Sequence, residues 1–136
     1  MGIDILGRDW DFRCSTTFWE ECLSLAEAFG WERAGTVAPA TCHQGDCHDN
    51  WNGNYRANDY QQVTDDDARA FAAGLKRAID AVMKEASLNV AQTRTIKIFR
   101  IEVGYFDFPS RSTETIRVKR VAELAALASK GGFVIA

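Results

Sequence analysis

No apolar stretch in this chain approaches a membrane span, which takes about 20 consecutive apolar residues. The opening residues, MGIDILGRDWDFR, carry Asp4, Asp9 and Asp11 where a secretory leader has an unbroken apolar core. Gly2 starts like a myristoylation signal, but Leu6 stands where that motif needs Ser or Thr. The expectation is a cytoplasmic chain with no membrane partner, its Cys14, Cys22, Cys42 and Cys47 held as thiols. An excess of positive charge is missing too. Sixteen Lys and Arg stand against nineteen Asp and Glu, a net charge of -3, so nothing attracts phosphate backbones or anionic lipids at long range. Local basic stretches, chiefly Arg111 to Arg120, are short and interrupted by Glu114, and nucleic acid is not an expected partner. There is no phosphate-cradling glycine loop, no serine triad, no internal repeat and no low-complexity tract.

What is present is a chain of 136 residues, 46% hydrophobic and 26% charged, the profile of one globular domain. Three amphipathic helices stand out. The first is expected from about Thr17 to Phe29, with Thr17 and Glu20 at capping-box spacing and Gly30 as the stop. Phe18, Cys22, Leu25 and Phe29 recur at helical spacing, widened by Trp19, Leu23 and Ala26, which makes Cys22, like Cys14, a small core group. The second runs from a Thr64 cap to about Ala86. Asp65, Asp66 and Asp67 fill its first turn, where the helix dipole favours negative charge. Its inner face is Ala68, Phe71, Ala72, Leu75, Ile79, Val82 and Met83, with Lys76, Arg77, Asp80 and Lys84 opposite. The third covers about Thr115 to Ser129, with Val118, Val121, Leu124, Ala125 and Ala128 inward and Gly131-Gly132 beyond its end.

Strand signals come from Ile3-Asp4-Ile5, from Phe133-Val134-Ile135 and from Thr95 to Phe106, whose apolar phase changes face between Ile98 and Phe99 as at a bulge. The fold expected is α+β: a single helix-rich domain, three main helices with a small β-sheet. Between the first two helices lies the long segment Thr36 to Gln62, a loop or insertion rich in Asn, Asp, Gly and aromatics.

Histidine is scarce, and both copies fall in ATCHQGDCHDNW, in the order Cys42-His43-x-x-x-Cys47-His48. Thiolate and imidazole are the ligands zinc prefers, and an open coordination position would make such a site hydrolytic. Adjacent side chains diverge, so two or three of the four, completed by Asp46, Asp49 or Cys14, converge more easily than all four. The spacing also resembles a long variant of the haem c attachment motif, with Cys42 and Cys47 in thioether bonds and His48 axial. That chemistry needs an export route the first residues do not offer. A cysteine nucleophile activated by a neighbouring histidine lacks a recognisable oxyanion device. The remaining alternative is a solvent-facing loop in which Gly45, Asp46, Asp49 and Asn50 make turns.

Just beyond, Trp51 to Gln62 interleaves planar rings with amides. Trp51, Tyr55, Asn58 and Tyr60 are the candidate contacts for an unidentified protein or a small polar ligand. The competing reading is that Trp51 and Tyr55 pin the loop to the core while Asn and Asp make turns. Asp65 to Asp67 fan too widely to hold one cation. Asp107 and Arg111, around Phe108-Pro109, read as a turn with a local ion pair, and nothing places Glu20-Glu21 or Glu102-Asp107 in a cleft.

Three words, MGIDILGR, GWERAGT and NDYQQVTDDDARAFAAGLKRAI, resemble an uncharacterised group of small bacterial proteins, and the closing ALASKGGFVI is similar to that group's ending. The words cover about half of the chain. This chain departs from the group at Tyr60, where the group tends to carry glycine, and the Cys/His stretch falls outside the words like an insertion. The resemblance implies a shared fold and no established activity, so it transfers no catalytic residues. The function expected is a non-enzymatic binding or protein-interaction module working through the 36–62 loop. The alternative is a metal-binding protein built on Cys42, His43, Cys47 and His48. A homo-oligomer stays open, because the apolar face of the third helix could close the core or meet a second copy.

Overall fold

The structure is a computed structural model that describes residues 2–39, 51, 53–88 and 111–136, the side chains of 85–88 and 111–116 excepted. In chain order the described elements are β1 (Gly2–Leu6), β2 (Asp11–Ser15), α1 (Thr16–Ala28), β3 (Gln61–Val63), α2 (Asp65–Leu88), α3 (Arg111–Ala128) and β4 (Phe133–Ile135). The fold is α+β, with a four-stranded antiparallel sheet in the order β2-β1-β4-β3.

Period-two alternation sends every second strand residue to one face. Ile3, Ile5, Phe12, Cys14, Gln61, Val63, Phe133 and Ile135 are buried there. The register aligns them in rows, Ile5 lying opposite both Phe12 and Ile135, and Ile135 opposite Gln61. The helices cover this face, α2 packing against both α1 and α3. Trp19 of α1, Phe71 of α2 and Phe133 of β4 meet at ring-centroid distances of 5.6, 6.1 and 6.2 Å. Burying a ring such as Phe71 contributes about 2–3 kcal/mol against leaving it in water.

Local chemistry sets the helix ends. Ser15, two residues before the expected Thr17, caps α1: its Oγ accepts from the Phe18 N–H at 3.1 Å. The strand β2 runs directly into the helix, so the hydroxyl of its last residue takes the cap. At the other end Gly30, at φ +98, lets its own N–H reach Glu27 O and the Trp31 N–H reach Ala26 O, a Schellman closure. Thr64 caps α2 as expected, accepting from the Asp67 N–H at 3.3 Å. At Gly74 α2 passes tightly against the end of α1, and a Cβ there would sit 2.9 Å from Ala26 O.

Other differences from the sequence reading are specific. Strands β2 and β3 were not among the expected ones. The third helix begins at Arg111, four residues before Thr115. Met83, expected inside, is 58% exposed, because the inner face of α2 passes through Ala78 and Val82. Thr95 to Phe106, expected as a strand, lies outside the described residues, as do Glu102 and Asp107. No described helix is long and apolar enough to cross a membrane.

Candidate functional site

The segment that follows residue 50 is fastened to the core by a buried polar junction. The Gly30 turn launches Trp31 inward, and its ring meets Tyr55 and Phe71 edge-on at 5.2 and 5.1 Å. Its indole N–H donates to Asp67 Oδ1 at 2.9 Å, and the Ala34 N–H adds a longer bond of 3.4 Å to the same oxygen. The Tyr55 hydroxyl donates to Asp67 Oδ2 and accepts from the Gly35 N–H at 2.7 Å. Asp67, in the first turn of α2, is 3% exposed and Tyr55 is 1% exposed. Burial and the Asp67 carboxylate both push the Tyr55 phenol well above its ordinary value of 10. It therefore stays a neutral donor at any ordinary pH.

A second centre is Gln61. Its Oε1 accepts from the Thr36 hydroxyl at 2.8 Å and from the Tyr55 N–H at 2.9 Å, and its Nε2 donates to Ala57 O at 2.6 Å. Trp51 donates its indole N–H to Thr36 O at 2.9 Å, and Trp19 donates to Tyr55 O at 2.7 Å. Asn54 Oδ1 takes the Arg56 and Ala57 N–H groups, and Asp59 takes that of Gln61. Above the junction the Arg33 guanidinium lies 5.7 and 5.4 Å from the centres of the Trp31 and Tyr55 rings. It is also tied to Glu27 and to Asn54 O. Every buried side-chain nitrogen and oxygen among the described residues has a partner.

The four candidate contacts therefore divide. Tyr55 and Trp51 face the core side, their polar atoms engaged by Asp67, Gly35 and Thr36. Asn58 and Tyr60 face solvent, Tyr60 with 61% of its surface exposed. Tyr60 has φ +64 and Tyr55 φ +62, the left-handed region that side chains disfavour. The Tyr60 backbone is held by its N–H to Ile135 O at 2.8 Å and by the buried Gln61 that follows it. The junction residues Asp67 and Gln61 were not singled out by sequence. Asp67 read as one of three first-turn carboxylates, yet consecutive helix residues point about 100° apart, so only one of the three turns inward.

Cys42, His43, Cys47 and His48 lie outside the described residues. Among the described residues no cluster of three or more His, Cys, Asp or Glu could hold a metal ion. Cys14 and Cys22 are buried as expected. Burial raises the Cys14 thiol to about 11, and Cys22 well above the ordinary range, so neither is a nucleophile near neutral pH. Glu20 is exposed. Glu21 accepts from Arg117 at 2.6 Å, and its carboxyl is raised because burial outweighs that cation. The described residues thus present a scaffold with an engaged interior and an outward aromatic. Comparison of the chain with known protein families, with curated proteins and with solved structures gives no match.

Proposed function

We propose that this chain is a non-enzymatic binding module that grips a partner polypeptide through the outer side of its sheet and the adjoining end of the 36–62 segment. One observation carries the reading: Tyr60 is held exposed, in a strained backbone conformation, two residues before Gln62, whose outward row also holds the apolar Leu6, Val134 and Val37. Such strain persists only where the surroundings over-determine it, and it clusters at sites of recognition. Cross-strand partners share a face of a sheet. Leu6 pairs with Val134, Val134 with Gln62, and Gln62 bridges to Val37. Leu6, Val37 and Tyr60 are three of the four large hydrophobics that the described residues expose. Trp51 and Tyr55 serve this surface from beneath, as its support.

Replacing Tyr60 by a photo-crosslinking phenylalanine analogue, in cells that normally make the protein, tests the proposal. A discrete adduct is expected from position 60. It should be absent from the same analogue at Glu20 on α1, and lost when Val37→Glu is added. No adduct at 60, or the same adducts at 20, would end this reading. The zinc reading is a separate proposal that rests on the Cys42-His43-x-x-x-Cys47-His48 spacing. Near one equivalent of zinc on protein purified without chelator, lost on Cys47→Ala, supports it, and metal-free protein withdraws it.

A further inference from the structure

On the side of the helices away from the sheet, α2 and α3 leave a groove of about 520 Å³ between them. Ala72, Ala73, Ile79, Ala122, Ala125 and Ala126 form its walls, and Arg69, Lys76 and Asp80 its charged rim. Alanine walls let another helix approach closely, but small side chains alone name no occupant. The order of charges does.

Along α2 the residues Arg69, Ala73, Lys76, Asp80 and Met83 follow a 4-3-4-3 spacing and form one outward stripe about 21 Å long. Arg69 and Asp80 lie at equal distances on either side of the midpoint between residues 74 and 75. An antiparallel helix crossing at that midpoint meets the same stripe reversed. Arg69 then falls opposite the partner's Asp80, and Asp80 opposite the partner's Arg69. Ala73 takes the place opposite the partner's Lys76, so no two like charges stand at the same level of the stripe. A two-fold interface requires this reciprocity, residue i meeting j while j meets i. Among the described residues of one copy, the ion pair of Arg69 is a distant one with Asp66, 3.9 Å away on a fully exposed carboxylate. The exposed Met83 is then covered by the first turns of the second α2. The apolar face of α3, in contrast, is spent on the core through Val121, Leu124 and Ala128.

We propose that the groove between α2 and α3 is the interface of a symmetric dimer of this chain, its α2 helices antiparallel and Arg69 paired with the partner's Asp80. The test is the mass in solution, by sedimentation equilibrium from micromolar to submillimolar protein, of the wild type, Asp80→Arg and the double exchange Arg69→Asp/Asp80→Arg. The expected result is a dimer for the wild type. Asp80→Arg, which sets arginine against arginine twice, should dissociate at least tenfold more readily, and the double exchange should return to within a few-fold of wild type. Because the double exchange contains the disruptive substitution, its recovery also shows that the helix folds with arginine at 80. A wild type that stays monomeric throughout overturns the proposal, as does a dimer indifferent to Asp80→Arg. A double exchange that folds, by circular dichroism, but fails to recover overturns the pairing. A monomer that enhances the fluorescence of an anilinonaphthalene sulfonate, with the enhancement lost on Ala125→Gln, would give the groove to a small apolar anion instead and also overturn it.

Discussion

Tyr55 and Tyr60 stand five residues apart with nearly the same left-handed backbone, φ +62 and +64, yet one is 1% exposed and the other 61%. Beneath Tyr55 the ring, the hydroxyl, the N–H and the carbonyl all have partners, in Trp31, Asp67, Gln61 and Trp19. The unfavourable conformation there is offset many times over by what it positions. At Tyr60 the same conformation is held by one backbone bond to Ile135 and by a buried neighbour, while the side chain gains little. Equal strain thus has opposite meanings, one belonging to the architecture and the other to a surface.

The largest effect expected from breaking the inner side is that of Asp67→Ala. It strands the Trp31, Ala34 and Tyr55 donors in a buried space, and should cost about 4 kcal/mol in urea unfolding. Tyr55→Phe keeps the ring and removes only the hydroxyl, leaving Gly35 N–H and one Asp67 oxygen unpaired, for a loss of about 2 kcal/mol. The same substitution has a pH signature. The folded phenol holds its proton above the ordinary value of 10 while the unfolded chain releases it. Wild-type stability should therefore fall as pH rises past 10, and part of that slope should vanish in Tyr55→Phe. Tyr60→Gly has the opposite sign: relief of the left-handed strain should raise stability by about 1 kcal/mol, and a loss of that size would show that the ring supports the fold after all. A finer measurement uses the buried Cys22 as a reporter of opening. Its alkylation in native buffer should be faster than wild type in Tyr55→Phe and unchanged or slower in Tyr60→Gly.

The apolar half of this architecture was legible in the sequence because periodicity reports burial. Ala68, Phe71, Leu75 and Val82 on α2, and Val121, Leu124 and Ala128 on α3, are inside as their spacing predicts. The polar half was not. Strand β3 reads Gln61-Gln62-Val63, with a fully buried glutamine in the inward phase where a hydrophobic residue is the usual signal. Its burial depends on Thr36 and Tyr55, partners 25 and 6 residues away that no local pattern announces. Strand β2 alternates cleanly, Phe12 and Cys14 inward, but five residues with two charges give a weak signal until β1 is set beside them. Tyr55, which the sequence leaves open as an anchor or a binding contact, is 1% exposed with its hydroxyl, N–H and carbonyl all engaged. Tyr60 itself stands at φ +64, a backbone conformation that suits glycine better than tyrosine, which no local sequence pattern announces.

The order of strands in the sheet bears on how the molecule is made. β4 lies between β1 and β3, bonded on one side to the strand farthest from it in sequence and on the other to β3. On a ribosome β1 and β2 can close their hairpin early. β3 then waits for its neighbour until residues 133–135 are synthesised, at roughly 5–20 residues per second. The edge of β1 that β4 covers waits for as long, so of the two interior strands of this sheet one is made first of the four and the other last.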